Sequence, residues 1–274
     1  MLDLKTMKNT NTQTGLVAFF DILGYQNLLE RNEPEAIAED VLPMLTDIGQ
    51  TVSDALRRIV RKNEDDPVPD HIGSIIAGMN WLVFSDTVLL TLPLNDSDPR
   101  LRYFEFTTFF MACIGLQGAL FMAGLPARGA IDFGKFFVKG TCFAGRTIVN
   151  AYRLSETLEI AACVLTDASA TELRRTCEDY KADAIDDILG TLVLEYLIPT
   201  KMEERHMLTL MAHTYDLETP NIHRSTMSAF WGNNKDLPVL ARQKVTNTEQ
   251  WLEFLESRQE AERESNKAMD SDKE

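Results

Sequence analysis

The chain predicts an α+β fold, an antiparallel-rich sheet with helices gathered on one face. Three observations carry this. Short apolar runs bounded by turn residues alternate with longer stretches of helical spacing. Two of the runs flank a two-residue bend and read as a hairpin. The resulting order is strand, helix, helix, strand, strand, helix, strand, helix, strand.

Residues 1–14 are polar and read as a flexible N-terminus. Residues 16–22 are continuously apolar up to Asp21, the mark of a buried strand, and Gly24 then permits a tight turn. Helical stretches follow at 25–31 and 35–61. The second spaces Ile37, Val41, Leu45, Ile48, Val52, Leu56 and Ile59 along one face, with Pro43 set to kink or break its start. Residues 62–72 are a charged, proline-bearing loop, and residues 76–93 form the hairpin with Ser85-Asp86 at its bend. An apolar helix at 101–123 leads through Gly124-Leu125-Pro126 into a strand at 127–133. Gly134 and Gly140 punctuate a second short strand or loop.

A helix at 145–157, a strand at 159–165, a helix at 167–178 and a late strand at 192–198 complete the series. Residues 200–250 show no clear period. A charged helix begins at Glu249, and residues 258–274 have the composition of an acidic disordered tail.

The 274 residues suffice for one large domain with appendages, and 45% hydrophobic with 25% charged residues is ordinary globular composition. A net charge of −15 argues against nucleic acid or an anionic membrane as partner. A small anionic ligand remains possible with a local pocket and a divalent ion. Four cysteines without CxxC spacing exclude a zinc or disulfide framework and predict a reducing cytoplasm. The first residues lack the apolar run of a signal peptide. Residues 106–125 carry no charge and have the length of a membrane span, but their Thr, Gln and Gly content predicts a core helix without membrane insertion.

Four motifs carry chemistry. Asp21, in Phe20-Asp21-Ile22-Leu23-Gly24-Tyr25, ends an apolar strand, where a carboxylate is costly unless paired or bound to a cation. The amides that follow are placed to meet phosphates, as at a helix N-terminus. Asp86 repeats the pattern in Phe84-Ser85-Asp86. In Ala127-Arg128-Gly129-Ala130-Ile131-Asp132-Phe133-Gly134, alternation puts Arg128 and Asp132 on one face. In the helix at 145–157, Arg146, Asn150 and Arg153 share a stripe. Taken singly, a capping or turn aspartate, an ion pair and a solvated helix face would explain these.

In order and character the four motifs resemble the class III nucleotidyl cyclase family, over about residues 15–166. The AYRLSE helix ending and the RGAIDFG strand resemble the pyrimidine cyclases of bacterial Pycsar antiphage defence. The resemblance implies a ferredoxin-like catalytic core at 15–200, a C-terminal extension at 201–257 packed on it, and the acidic tail. It implies two divalent ions, Mn²⁺ or Mg²⁺, at Asp21, Ile22 and Asp86. Phosphates would meet Ile22, Leu23, Gly24, Tyr25 and Arg128, and Arg153 would stabilise charge on the α-phosphoryl group. Asn80, Leu82, Asp132 and Cys142 would face the base.

Two departures refine this. The family's Asn four positions before the helix Arg falls on Val149, with Asn150 one place on. The adenine-reading Lys and Asp are replaced by Leu82 and Cys142. A pyrimidine triphosphate is what remains, UTP favoured, with CTP or an inactive nucleotide-binding regulator as alternatives. The GGDEF signature of diguanylate cyclases is absent. The resemblance further implies a homodimer with Asp21 and Asp86 from one chain and Cys142 and Arg153 from the other, and a downstream effector that senses the cyclic product.

Overall fold

Strand β1 (Gln13–Ile22) lies inside the sheet, and alternation divides its side chains between two cores. Leu16, Ala18, Phe20 and Ile22 face one, and Val17 and Phe19 face the other. The computed structural model describes residues 12–59, 69–95, 98–180, 191–211, 222–233, 235–236 and 241–271.

β1 pairs antiparallel with β3 (Thr87–Pro93) and β4 (Ala127–Lys139), and β3 pairs with β2 (Asn80–Phe84). The order β2-β3-β1-β4, with helical connections after β1 and β3, is the ferredoxin-like arrangement. The short β5 (Cys142–Ala144) folds back on the end of β4. Beyond β4 the sheet continues through β6 (Cys163–Leu165), which is parallel to it, then β8 (Glu204–Leu210) and β7 (Val193–Pro199).

The main helical layer covers the Leu16 face. It contains α3 (Leu42–Ile59), α4 (Asp70–Gly78), α5 (Pro99–Met122) and α7 (Asp167–Tyr180). The apolar segment that could span a membrane by length and composition is α5, and its Phe106, Phe109, Phe110 and Leu116 are buried against β1 and β3. Asp98 caps it by accepting the Arg100 amide, with Pro99 in the first turn where no N–H is needed. On the opposite face α6 (Arg146–Thr157) packs on β1 and β4.

The shorter helices α1 (Tyr25–Arg31) and α2 (Pro34–Ala36) follow β1. C-terminal α8 (Ile222–Trp231) and α9 (Arg242–Ser271) close a second core. There Phe230, Trp251, Leu252 and Leu255 meet Leu158, Ile160, Val164 and Leu194. The segment after α8 also fastens onto the front of the molecule. Lys235 Nζ donates to the Gly124 and Ala229 carbonyls at 2.5 and 2.9 Å, and Asn233 donates to the Ala123 carbonyl. The Asp236 amide donates to Asn27, and its carboxylate pairs with Arg31 on α1.

Several elements differ from the sequence reading. The expected helix at 35–61 begins with α2 and a π turn at Ile37–Val41, which accommodates the missing N–H of Pro43 just beyond. Residues 70–78 are helical, so the hairpin starts at Asn80, and most of the expected loop at 62–72 lies outside the described residues. β4 runs unbroken to Lys139 through Gly134. Only Cys163–Leu165 of the expected strand at 159–165 pairs. Residues 200–250 contain β8, missed because its exposed half carries no apolar alternation, and β8 carries the sheet across position 200. The expected disordered tail at 258–274 is helical as far as Ser271. The flexible N-terminus falls mostly on residues 1–11, outside the described residues, while Gln13 and Thr14 belong to β1.

Candidate active site

Asp21 is the penultimate residue of β1, on the face of Val17 and Phe19, and register sets it between Thr87 of β3 and Arg128 of β4. Asp86 lies in the β2–β3 turn after Ser85, whose φ of 56° is left-handed. Its carbonyl accepts the Ile22 amide at 2.8 Å, stitching the turn to the end of β1. The stitch brings together two carboxylates 65 positions apart. Burial pushes the Asp21 carboxyl above the ordinary range, the Arg128 guanidinium opposes this, and the charges of Asp86 and Glu156 add to the rise.

Arg128 is nearly buried and fully engaged. Its Nε and Nη2 donate to one Asp21 oxygen at 2.8 and 2.7 Å, and Nη1 donates to the Glu156 and Leu158 carbonyls at 3.0 and 3.3 Å. Those carbonyls lie at the C-terminal end of α6, where a cation is favoured. The neighbouring Gly129 stands opposite Phe20, and a Cβ there would lie 2.5 Å from the phenyl ring. The Arg-Gly pair thus places a cation on one face of β4 and clears room for the core on the other.

A carboxylate whose affinity for positive charge is raised by burial and by a neighbouring carboxylate fits a divalent ion. Mg²⁺ in particular is held by one or two carboxylates together with substrate phosphates. Among the described residues no group of three or more His, Cys, Asp or Glu side chains converges, so the remaining ligands would be phosphate, water or backbone oxygens. Asp21 and Asp86 are the residues that would hold such ions.

The phosphate residues expected from the sequence divide. The Ile22 and Leu23 amides are taken by the Asp86 and Pro126 carbonyls, at 2.8 Å each, which removes both from the cradle. Gly24, left-handed at φ 77°, and Tyr25 begin α1, where first-turn amides have no intrahelical partner. Arg128 is likewise corrected: its donors face Asp21 and the α6 carbonyls rather than an open pocket.

The base-facing residues do not form one cluster. Asp132 is 2% exposed under α6, accepting from Thr166 Oγ1 at 2.5 Å and Asn150 Nδ2 at 3.0 Å. A carboxylate so enclosed cannot read a base, and burial raises its pKa despite these bonds. Asn80 donates to the Gly78 carbonyl at 3.3 Å. Leu82 and Thr141, the neighbour of exposed Cys142, both line a cavity of ≈ 730 Å³ between β2, α3 and α4. There the Trp81 indole lies against Gly49, where a Cβ would stand 2.9 Å from it.

Arg146 and Arg153 are exposed on α6, while Asn150 turns toward β4. Sequence reasoning missed Tyr152 and Glu156 at this end of the sheet, and took Tyr25 only for its backbone amide. Tyr152 packs edge-on against Phe19 at 5.3 Å, and its hydrogen bond with Glu156, then burial and the charges of Glu156 and Asp21, push its hydroxyl pKa up. Glu156 thus adds its charge to that of Asp86 in acting on Asp21. Tyr25 is buried beside Asp86, and burial with that charge raises its pKa. Tyr25 and Tyr152 stood inside quoted motifs, so the available signal was an aromatic next to a carboxylate or arginine of interest.

No protein-family model matches the chain, and no curated protein matches it. Solved structures similar to it include the monomeric guanylyl cyclase domain of the RhoGC fusion protein from the aquatic fungus Blastocladiella emersonii. That match has 11% identity over 74% of this chain and 98% of that one, with a TM-score of 0.44. Adenylate cyclases from Trypanosoma brucei in their monomeric state match at 12% identity over 72% and 89%, TM-score 0.41. The adenylate/guanylate cyclase/hydrolase from Silicibacter pomeroyi matches at 15% over 73% and 96%, TM-score 0.37. At such identities and TM-scores these likenesses assign no residue a role.

Proposed function

We propose that this chain is a nucleotidyl cyclase of the class III type, converting a pyrimidine nucleoside triphosphate, UTP in preference to CTP, to its 3′,5′-cyclic monophosphate and pyrophosphate. The observation that carries the reading is the stitched pair of Asp21 and Asp86 at neighbouring strand ends, directly before the first turn of α1. Divalent ions held there, Mn²⁺ or Mg²⁺, would neutralise the triphosphate and polarise the α-phosphate. The chain's own groups do the rest. Gly24 and Tyr25 amides receive phosphate oxygens. Arg128 holds the Asp21 carboxylate in one orientation. Arg153, exposed on α6, meets the charge that grows on the α-phosphoryl oxygens as the ribose 3′-oxygen bonds to phosphorus and pyrophosphate departs.

Arg153 acts in a neighbouring copy's site on this reading. The support is exposed apolar surface at two places, Val149 and Tyr152 beside it on α6, each 42% exposed, and Phe84 next to the Asp86 turn, 74% exposed, groups that a twofold partner would cover. Leu82 and Cys142 leave no charged reader for a purine. The Pycsar-like motifs extend the proposal to a cytoplasmic enzyme whose product signals antiphage defence through a cyclic-nucleotide effector.

Incubating the protein with Mn²⁺ and each of the four triphosphates, with products identified by mass spectrometry, tests this. Cyclic UMP as the main product is expected. A cyclic purine nucleotide as the main product would refute the pyrimidine assignment. Nucleotide binding without any product would favour the second reading, a nucleotide-holding regulator. That reading draws on Asn150, which bonds to Asp132 and so does not present the family's ribose-positioning amide.

A further inference from the structure

We infer that Asp132 is a positioning residue, whose carboxylate sets the height and rotation of α6 over the sheet and thereby places Arg146 and Arg153. The inference rests on the cyclase reading for its catalytic consequence and replaces the base-reading role that the sequence assigned to Asp132.

Asp132 projects from the middle of β4, opposite Val17, on the face that α6 covers. It is 2% exposed, and the groups bonded to it are neutral donors from three elements: Asn150 Nδ2 of α6 at 3.0 Å, Thr166 Oγ1 ahead of α7 at 2.5 Å, and the Phe133 amide of β4 itself. A buried carboxylate is expensive unless every lone pair is met, so this arrangement holds only while the three elements keep their spacing. Thr166 is itself fixed, since it accepts the Ser169 amide while the Ser169 hydroxyl donates to Ile131 of β4. The carboxylate is therefore anchored on the sheet side and reaches α6 through one amide.

That amide sits at a decisive place on the helix. Asn150 is one turn after Arg146 and one turn before Arg153, so its bond lies between the two exposed cations. A second anchor lies one turn earlier. Thr147 Oγ1 donates to the Lys135 carbonyl at 3.0 Å, above Gly134, where a Cβ would stand 2.9 Å from that hydroxyl. The Thr147 anchor fixes where α6 starts, and Asp132 fixes its rotation at the turn that presents Arg153. A guanidinium aimed at a developing charge loses its effect with displacements of about 1 Å, which cost about 100-fold in rate.

The test exploits charge. Asn150→Asp sets two carboxylates face to face, and adding Asp132→Asn restores a donor–acceptor pair with the charge moved onto the helix. Expected for Asn150→Asp is a kcat lowered about 100-fold with KM little changed. The double variant should recover to within about tenfold of the parent, with the preference order among the four triphosphates unchanged throughout. A double variant no better than Asn150→Asp, or an Asp132→Asn variant with altered triphosphate preference, overturns the proposal.

Hydrogen exchange of the α6 amides separates this from failure of the cyclase reading. If the parent cyclises no triphosphate, α6 should still exchange faster in Asn150→Asp and return to parental protection in the double variant. Unchanged exchange would refute the positioning role regardless of activity. Should Asn150→Asp fail to fold, Asn150→Ala removes the same contact and should reproduce the faster exchange.

Discussion

The face of the sheet that α6 covers holds two carboxylates in different ways. At one end Asp21 is bound by a cation, half-buried, and next to a second carboxylate. At its middle, Asp132 is enclosed by neutral donors from three elements. A carboxylate facing one guanidinium and one like charge can exchange its partner for a metal ion without leaving a vacancy in the core. A carboxylate satisfied by an amide, a hydroxyl and a backbone N–H has nothing to gain from a new ligand, and its removal disturbs everything it joins. The two positions divide the labour between exchangeable charge and fixed geometry.

The sharpest break of this division is at the Asp21 end. Asp21→Asn and Asp86→Asn should each lower product formation by about three orders of magnitude, with the fold retained by circular dichroism. Mixing Asp21→Ala protein with Arg153→Ala protein should return measurable activity, because mixed dimers would contain one intact site. No recovery after co-refolding would sink the shared-site arrangement.

A smaller effect is expected from Arg128→Met. It leaves the Asp21 carboxylate beside Asp86 and Glu156 without its cation, and urea unfolding should show a loss on the order of 3 kcal/mol. A loss indistinguishable from zero would mean that the pair is not what holds β1 to the end of α6.

The smallest effect is a pH dependence at Asp132. Its folded pKa is raised, mainly by burial, so the folded state favours the protonated form. That contribution is fully present below the unfolded value and is lost as pH rises through the raised folded one. The stability of the parent relative to Asp132→Asn should therefore decline as pH climbs out of the ordinary carboxylate range, then level off. Thermal melts of both proteins from pH 3.5 to 7 would show it, and a constant difference would contradict it.

Much of this division was legible in the residues themselves. Strand alternation put Arg128 and Asp132 on one face, and the apolar runs ending in Asp21 and Asp86 located the charged end. What could not be read was partnership. Alternation gives a side chain's face but not its contacts, so Arg128 and Asp132 looked equally open when both are enclosed. The Ile22 and Leu23 amides looked free because nothing local shows that the Asp86 and Pro126 carbonyls reach them from 64 and 103 positions away. β8 escaped because its first half, Glu204, Arg205 and His206, is exposed and polar throughout and carries no period-two signal.

The fastening of Asn233, Lys235 and Asp236 has a consequence for how this chain can vary in evolution. Lys235 bonds to the Gly124 turn that feeds β4, and Asp236 grips α1, the helix that follows Asp21. The C-terminal region is thus part of the frame around the charged end, contributed by sequence more than 200 positions away from it. A lineage could exchange the loops of the sheet freely, but it could not graft a different C-terminal region without also rewriting α1 and the Gly124 turn.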